Sequence, residues 1–403
     1  RNEEQFTQEL QLIGTHDRLD WILGLYYFSE EGDNVNTLDF TVSNFRSGGT
    51  FDNTAWAAFA QATFDMTDRV GRSLGGSATD DEEASAPDQI RYNIYCSGIS
   101  NVVPPGNPLA ALDAPFLQAG SRILPLLEKE ISISEFTPMA NLAFDLSDSV
   151  MLYATYSEGF KSGGFTQRVF PPIVPPFTAP PGTPDIDLIP TYEPEFVEVL
   201  EAGFKLDLLD GRLRLNGAVF QTDYEELQVQ VFNSVAPVTQ NIGEASIDGF
   251  EVELFASPAE GWFVEGSLSL INAEYDNIDT ANTLIQKSND FERVPETTAS
   301  LGLSKELEIS DNGTLLLRAD WSYRSETYND AYNTPLLETD SYSLIDASVR
   351  WTNTGGDWTV ILAGTNLSDE QYLVTGVYGT AFQSLEGIYN RGRQWRVEVR
   401  KQF

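Results

Sequence analysis

The chain has one cysteine, Cys96, and one histidine, His16, in 403 residues. A lone cysteine excludes an internal disulfide and any multi-cysteine metal cluster. A lone histidine, set in a polar turn, argues against a histidine-based triad or a multi-histidine metal site. Bases are scarce as well, 24 against 61 acids, for a net charge of -37. Such a surface repels phosphates, so nucleic acid is not an expected partner. Long apolar runs are missing: the best, Ala55 to Ala60, falls far short of the ~18 residues of a spanning helix. A helical membrane protein is therefore excluded. A phosphate loop is missing too, since "KSGGF" at Lys161 to Phe165 lacks its spacing. Paired carboxylates are too numerous to single out a catalytic pair, so no catalytic, cofactor-binding, metal-ligating or ligand-binding residue is assigned.

What the chain does have is dispersed hydrophobicity: 41% apolar and 12% aromatic residues at a mean hydropathy of -0.24. The dispersion follows a period of two. Trp395, Val397, Val399 and Phe403 fall on one face, against Arg396, Glu398, Arg400 and Gln402 on the other. Leu315, Leu317, Ala319, Trp321 and Tyr323 repeat the pattern against Arg318, Asp320, Ser322 and Arg324. So do Phe250, Val252 and Leu254 against Glu251 and Glu253, and Leu200, Ala202, Phe204 and Leu206 against Glu201, Lys205 and Asp207. The pattern predicts an all-β chain with fixed register, because a one-residue slip would turn every charge to the apolar side.

Connector lengths indicate which β architecture. Short polar turns are expected at Thr15 to Asp20, Asp65 to Arg69, Leu146 to Ser149, Leu209 to Gly211, Pro258 to Gly261, Ser310 to Gly313 and Asn353 to Asp357. Long links are expected at Ser73 to Lys129, Phe160 to Phe196, Tyr275 to Glu296, Glu326 to Asp340 and Leu367 to Gly392. Strict alternation of short and long connections is the pattern of an outer-membrane barrel, with periplasmic turns and extracellular loops. Segments such as Gly313 to Arg324 supply the ~9–11 residues of a tilted spanning strand. About fifteen such strands are expected. Trp21, Tyr26, Tyr27, Trp262, Trp321, Tyr323, Trp351, Trp358 and Trp395 lie toward strand ends, as interfacial girdles require. The fold class is thus a transmembrane antiparallel β-barrel.

Several stretches, taken in order, resemble the TonB-dependent outer-membrane receptors. They are "TQELQLIG" and "WILGLYYF" near the start, "YATYSEGFKSGGF" at Tyr153 to Phe165 and "YEPEFVEVLEAGFK" at Tyr192 to Lys205. "NIGEASIDGFEVEL" at Asn241 to Leu254, "RVPETTASLGL" at Arg293 to Leu303, "GTNLSDEQY" at Gly364 to Tyr372 and the closing "RGRQWRVEVRKQF" complete the set. The resemblance implies that residues 1–403 are the C-terminal portion of a barrel of about 22 strands with a plugged lumen. Phe6 to Ile13 would then be its eighth strand, with the plug and about seven strands lying upstream. The opening at Arg1, without an initiator Met or a leader, agrees with that expectation. The implied partners are TonB, through the upstream region, outer-membrane lipid and lipopolysaccharide, the barrel assembly machinery, which reads the terminal Phe403, and a small ligand such as a metal chelate. The implied function is active uptake of a scarce solute, foremost a ferric siderophore, with no enzymatic step.

Within this frame Glu195, Glu198 and Glu201 are expected on a lumenal face, Gly249 at a bulge or strained strand start, and Asn366, Ser368 and Asp369 in a turn. Lys401 interrupts the closing apolar face but can reach water at the periplasmic edge. Arg91, Arg122, Arg318, Arg324, Arg391 and Arg393 could contact an anionic chelate or pair with nearby acids. The run Asp80, Asp81, Glu82, Glu83 is expected in a long solvated loop, with Ca²⁺ capture as the alternative. Two other readings of the chain are a passive porin or adhesin barrel, and a soluble β-rich glycan hydrolase. The last would need a repeat of about 40–50 residues, which is not found.

Overall fold

The computed structural model describes residues 2–40, 43–94, 122–166, 169, 179–233, 236–278, 283–379 and 384–403. The period-two segments become fifteen long strands, each hydrogen-bonded antiparallel to the next in chain order. They are β1 (Asn2–His16), β2 (Leu19–Phe40), β3 (Ser43–Thr67), β4 (Val70–Pro87), β5 (Lys129–Ser147), β6 (Val150–Lys161), β7 (Glu195–Leu208) and β8 (Leu213–Glu225). Then follow β9 (Gly243–Ala256), β10 (Trp262–Ile278), β11 (Thr297–Glu308), β12 (Thr314–Arg324), β13 (Tyr342–Thr352), β14 (Trp358–Thr365) and β15 (Gln394–Lys401). β1 and β15 are each paired on one side only. A short strand, Ile90–Ile94, pairs with the far end of β3.

Every short turn expected from the sequence closes a hairpin at the same end of the sheet. Asp17 and Arg18 alone separate β1 from β2, with Asp17 at φ 52°. Leu209, Asp210 and Gly211 all take positive φ between β7 and β8. Asn353 closes the β13–β14 turn: its carboxamide donates to Asp357 at 2.7 Å and accepts from the Trp358 N–H at 2.9 Å. This is the side-chain mimicry of a backbone turn that favours Asn there.

Register carries the apolar face across the sheet without a break. Leu317, Val349, Leu362 and Val397 form one row over four strands. Leu10, Leu25 and Ala58 form another at the opposite end. These side chains point outward, and Val397 is 70% exposed. A continuous apolar surface of this extent is costly in water and is the surface a bilayer covers. No helix among the described residues is long and apolar enough to cross a membrane.

Five sequence expectations need correction. The link from Ser73 to Lys129 is not all connector: β4 continues to Pro87, in ladder with β3 and β5. Asp80, Asp81, Glu82 and Glu83 therefore lie in a strand and not in a loop, opposite Ser134, Ile133, Ser132 and Ile131. Charge does not oppose a strand there, because β4 and β5 run on past Met139, where β5 stops pairing with β6 next to Pro138. The same extension affects β2 and β3, with 22 and 25 residues, so that the link at this hairpin is not long.

Glu198 does not share a face with Glu195 and Glu201. It lies an odd number of positions from both, and alternation turns it outward beside Leu200. Gly249 makes no bulge, since its register with Phe220 and Ile271 is regular and the nearby irregularity falls at Glu244/Ala245. Its lack of a side chain serves another purpose: a Cβ there would come 2.1 Å from Phe220 Cζ. Gly24 makes the same room for Phe59, at 1.9 Å.

Candidate functional site

The inward face of the sheet is polar. Arg318 on β12 is its most connected charge. Its guanidinium holds Asp320 through Nε at 2.9 Å and reaches across β11 to Glu265 on β10. Ser267 and Ser300 share a hydrogen bond at 2.7 Å beside it. These side chains line two shallow hollows of about 360 and 430 Å³, with Glu253, Ser304 and Asp346 on their margins. Arg318 thus pairs with acids of its own wall. Arg214 does the same with Asp207, at 3.1 Å.

The long connections are packed bodies rather than loose strings. Leu227, Val231, Ile242, Ala245, Tyr275, Ile285 and Ala331 are buried together at the far end of β8 to β10. The hairpin Gln228–Asn233 with Ala236–Asn241 contributes Val231 to this cluster. Tyr275 is packed against Phe291, ring centroids 4.4 Å apart. Burial, with Glu292 nearby, pushes its phenol up to about 12. A wall open on its inner side buries little, so apolar side chains find their densest packing in the connections.

A second body joins β4 to the β6–β7 connection. The Gln89 carboxamide donates to the Val169 carbonyl at 2.9 Å and accepts from its N–H at 3.0 Å. Asp88 lies between Arg46 and Arg122, at 3.2 and 2.6 Å. Arg122 is therefore tied to an acid of its own body. The side chain of Arg91 and the whole of Cys96 lie outside the described residues.

A third body gathers the rim of β12 to β15. Asn329 donates to the Leu337 carbonyl and to Thr339, whose hydroxyl donates to the Leu373 carbonyl, each at 2.9 Å. Arg324 donates to the Arg293 carbonyl, and Arg293 donates to Thr375, both at 2.8 Å. Tyr342 and Tyr372 stack at 3.8 Å with rings 6° from parallel. The turn expected at Asn366, Ser368 and Asp369 is present, with positive φ at Asn366 and Asp369. It fastens Arg393, whose N–H donates to Asp369 at 2.8 Å. Asn366 donates to the Arg391 carbonyl at 3.2 Å.

Between these bodies opens a groove of about 160 Å³ lined by Glu292, Arg293, Asp330, Tyr332 and Tyr378 together with Val377. Burial raises the Glu292 carboxyl, with Asp330 adding to the effect and Arg293 opposing it. Charged, phenolic and apolar groups thus meet at one mouth, the mixture that orients a small ligand. Sequence reading singled out Arg324 and Arg393 in this body but missed Arg293, Asp330 and Tyr332, which lack a mutual spacing. On β4, Glu83 faces a small pocket with Asp81, Tyr192 and Ser162, and Ser162 donates to Asp81. Burial and then Asp81 push Glu83 up to about 7. His16 is the last residue of β1, beside the turn and 3.6 Å from Asp17. Among the described residues no group of three or more His, Cys, Asp or Glu is placed to hold a metal ion.

Residues 1–367 match the family model described as TonB dependent receptor-like, β-barrel. The chain is 28% identical over 188 residues to the siderophore receptor PiuA of Acinetobacter baumannii, covering 45% of this chain and 24% of that protein. It is 27% identical over 165 residues to the metal-pseudopaline receptor CntO of Pseudomonas aeruginosa, covering 41% of this chain and 20% of that one. The ferric yersiniabactin uptake receptor FyuA of Yersinia pestis superposes over the whole chain with a TM-score of 0.77 at 19% identity. That match spans 54% of FyuA, so the chain has about half the length of this solved receptor.

Proposed function

The chain belongs to the TonB-dependent receptor β-barrel family, which places it in the outer membrane, and from that premise we propose that it forms the C-terminal part of a receptor for active uptake of a ferric siderophore. Receptors of this family bind ligands such as siderophores and work with TonB. The observation that carries the proposal is the pairing of a polar inner wall with a packed, mixed-polarity rim at the long-loop end. A passive pore needs no such rim. The siderophore and metal-chelate receptors among the relatives support the choice of cargo.

The proposal includes an upstream plug, the remaining strands of a barrel of about 22, and TonB engagement through that upstream part. It also includes contact with lipopolysaccharide and insertion by the barrel assembly machinery. The role is transport without a chemical step. Iron-limited cells lacking their other siderophore receptors would be complemented with this protein and supplied with ⁵⁵Fe-siderophores of several classes. Accumulation that disappears in a tonB-null strain is the expected result. Accumulation unaffected by loss of TonB would indicate passive diffusion and overturn the reading.

A further inference from the structure

Charge on the outward face is sorted by height. Asp52, Asp80, Glu82, Glu158, Glu198 and Asp223 share the register of the apolar rows but lie toward the long-loop end. The outward bases are at the other end. Arg72 is close to the start of β4, Lys305 close to the end of β11, and Lys401 is the last residue of β15. Arg46, near the far end of β3, is the exception, and it is paired with Asp88 in the second packed body.

Each of the three bases stands directly across from an aromatic ring: Arg72 from Phe64, Lys305 from Trp262, Lys401 from Trp358. In two cases the ammonium sits over the indole, Lys305 at 5.2 Å and Lys401 at 4.9 Å, and Lys401 is also 5.2 Å from the Phe403 ring. Trp262 and Trp358 each open a strand immediately after a tight turn. Lys305 donates to the Glu260 carbonyl at 2.8 Å. Among the described residues neither lysine has a carboxylate within ion-pair distance.

A lysine on an apolar face can be explained by its stem reaching for water. That does not explain why two separate strand pairs place a tryptophan at the opposed position, or why a chain with 24 bases and 61 acids keeps its described outward bases other than Arg46 at one height. An indole at a membrane boundary sits at headgroup level. A cation held on it is then presented to headgroup phosphate.

We propose that Trp262–Lys305 and Trp358–Lys401 are a repeated binding site for anionic phospholipid in the periplasmic leaflet. The ammonium takes a phosphate oxygen while the indole packs along the glycerol and upper acyl chain. The proposal rests on the orientation of the barrel, tight turns toward the periplasm, and is independent of the cargo.

The test uses the protein purified from outer membranes and reconstituted in phosphatidylcholine vesicles with trace spin-labelled phosphatidylglycerol or spin-labelled phosphatidylcholine. Electron paramagnetic resonance reads the fraction of each label immobilised at the protein. A cation near an anionic headgroup corresponds to about fivefold preference at its own site, so the averaged ratio of the two labels should exceed one. The double variant Lys305→Gln/Lys401→Gln should lower that ratio, and the double Arg variant should keep it. Raising salt should shrink the preference in the wild type. An equal association of both labels, or a preference that survives in the Gln variant, overturns the proposal. Where the double variant assembles poorly, Lys401→Gln alone is read the same way, with a smaller drop expected.

Discussion

Gly249 and Phe220 stand directly across from each other in β9 and β8, and the Phe220 ring occupies the space that a side chain at Gly249 would fill. Gly249→Ala therefore overpacks the inner wall, at a cost of roughly 1–3 kcal/mol. A lower urea midpoint for the barrel in detergent is the expected result. Phe220→Leu in the Gly249→Ala background should recover part of the loss through coupling of contacting residues. A double variant no more stable than the single one would mean that the ring is not the cause.

Val397 faces outward in the row with Leu362, Val349 and Leu317. Arginine at this height meets hydrocarbon and costs roughly 2–4 kcal/mol. Val397→Arg should reduce the yield of folded, heat-modifiable protein in outer membranes. Arg396→Val, on the inward face, should change that yield much less. Equal effects of the two substitutions would argue against the assignment of faces.

If the packed rim serves the proposed binding, a change in it should leave insertion untouched. Ile285 is almost fully buried beside Tyr275 in the connection after β10. Ile285→Ala should cost about 2–5 kcal/mol of local packing while leaving the wall intact. Ferric-siderophore affinity should fall at unchanged barrel yield, as read by equilibrium binding beside gel migration. Loss of both together would show that the rim is needed for assembly.

Glu83 lies on the part of β4 beyond the level where β5 and β6 pair, with its carboxyl pushed up to about 7 from an ordinary 4.5. A carboxyl with a raised pKa binds more protons folded than unfolded between those values. Stability is therefore fully present below about pH 4.5 and falls as pH rises through about 7. Amide hydrogen exchange at residues 162–166 and 190–194 should be slower at pH 5.5 than at pH 8, after correction for intrinsic rates. Glu83→Gln should abolish the difference. Substituting Asn for Asp80 and Gln for Glu82, which face outward, should leave it in place.

Strand faces were legible because alternation assigns each residue by parity alone. The fifteen strands and their turns follow from that rule and from Asn, Asp and Gly at hairpin closures. It was Glu195, Glu198 and Glu201, read as a unit, that misled, since a three-residue step in a strand changes face. The outer half of β4 was obscured for a different reason: Asp80 to Glu83 stand beyond the apolar band, where both faces tolerate charge and composition resembles a loop. The rim was the least legible part. Leu227, Val231, Ile242, Ile285 and Ala331 come from three connections and Tyr275 from the far end of β10, and nothing in their local spacing announces that they meet. The same holds for Arg293, Asp330 and Tyr332 in the groove. Arg318 was visible as an inward charge, but its partner Glu265 lies two strands away.

The β2–β3 hairpin, of 22 and 25 residues, is long enough to act as a mast. At ~3.3 Å per residue, and with only ~9–11 residues needed to cross the hydrocarbon, close to half of each strand stands clear of the lipid, braced by its own ladder. The reach of this part above the bilayer is set by strand pairing from Asn34 and Gly49 downward, not by the composition of any loop.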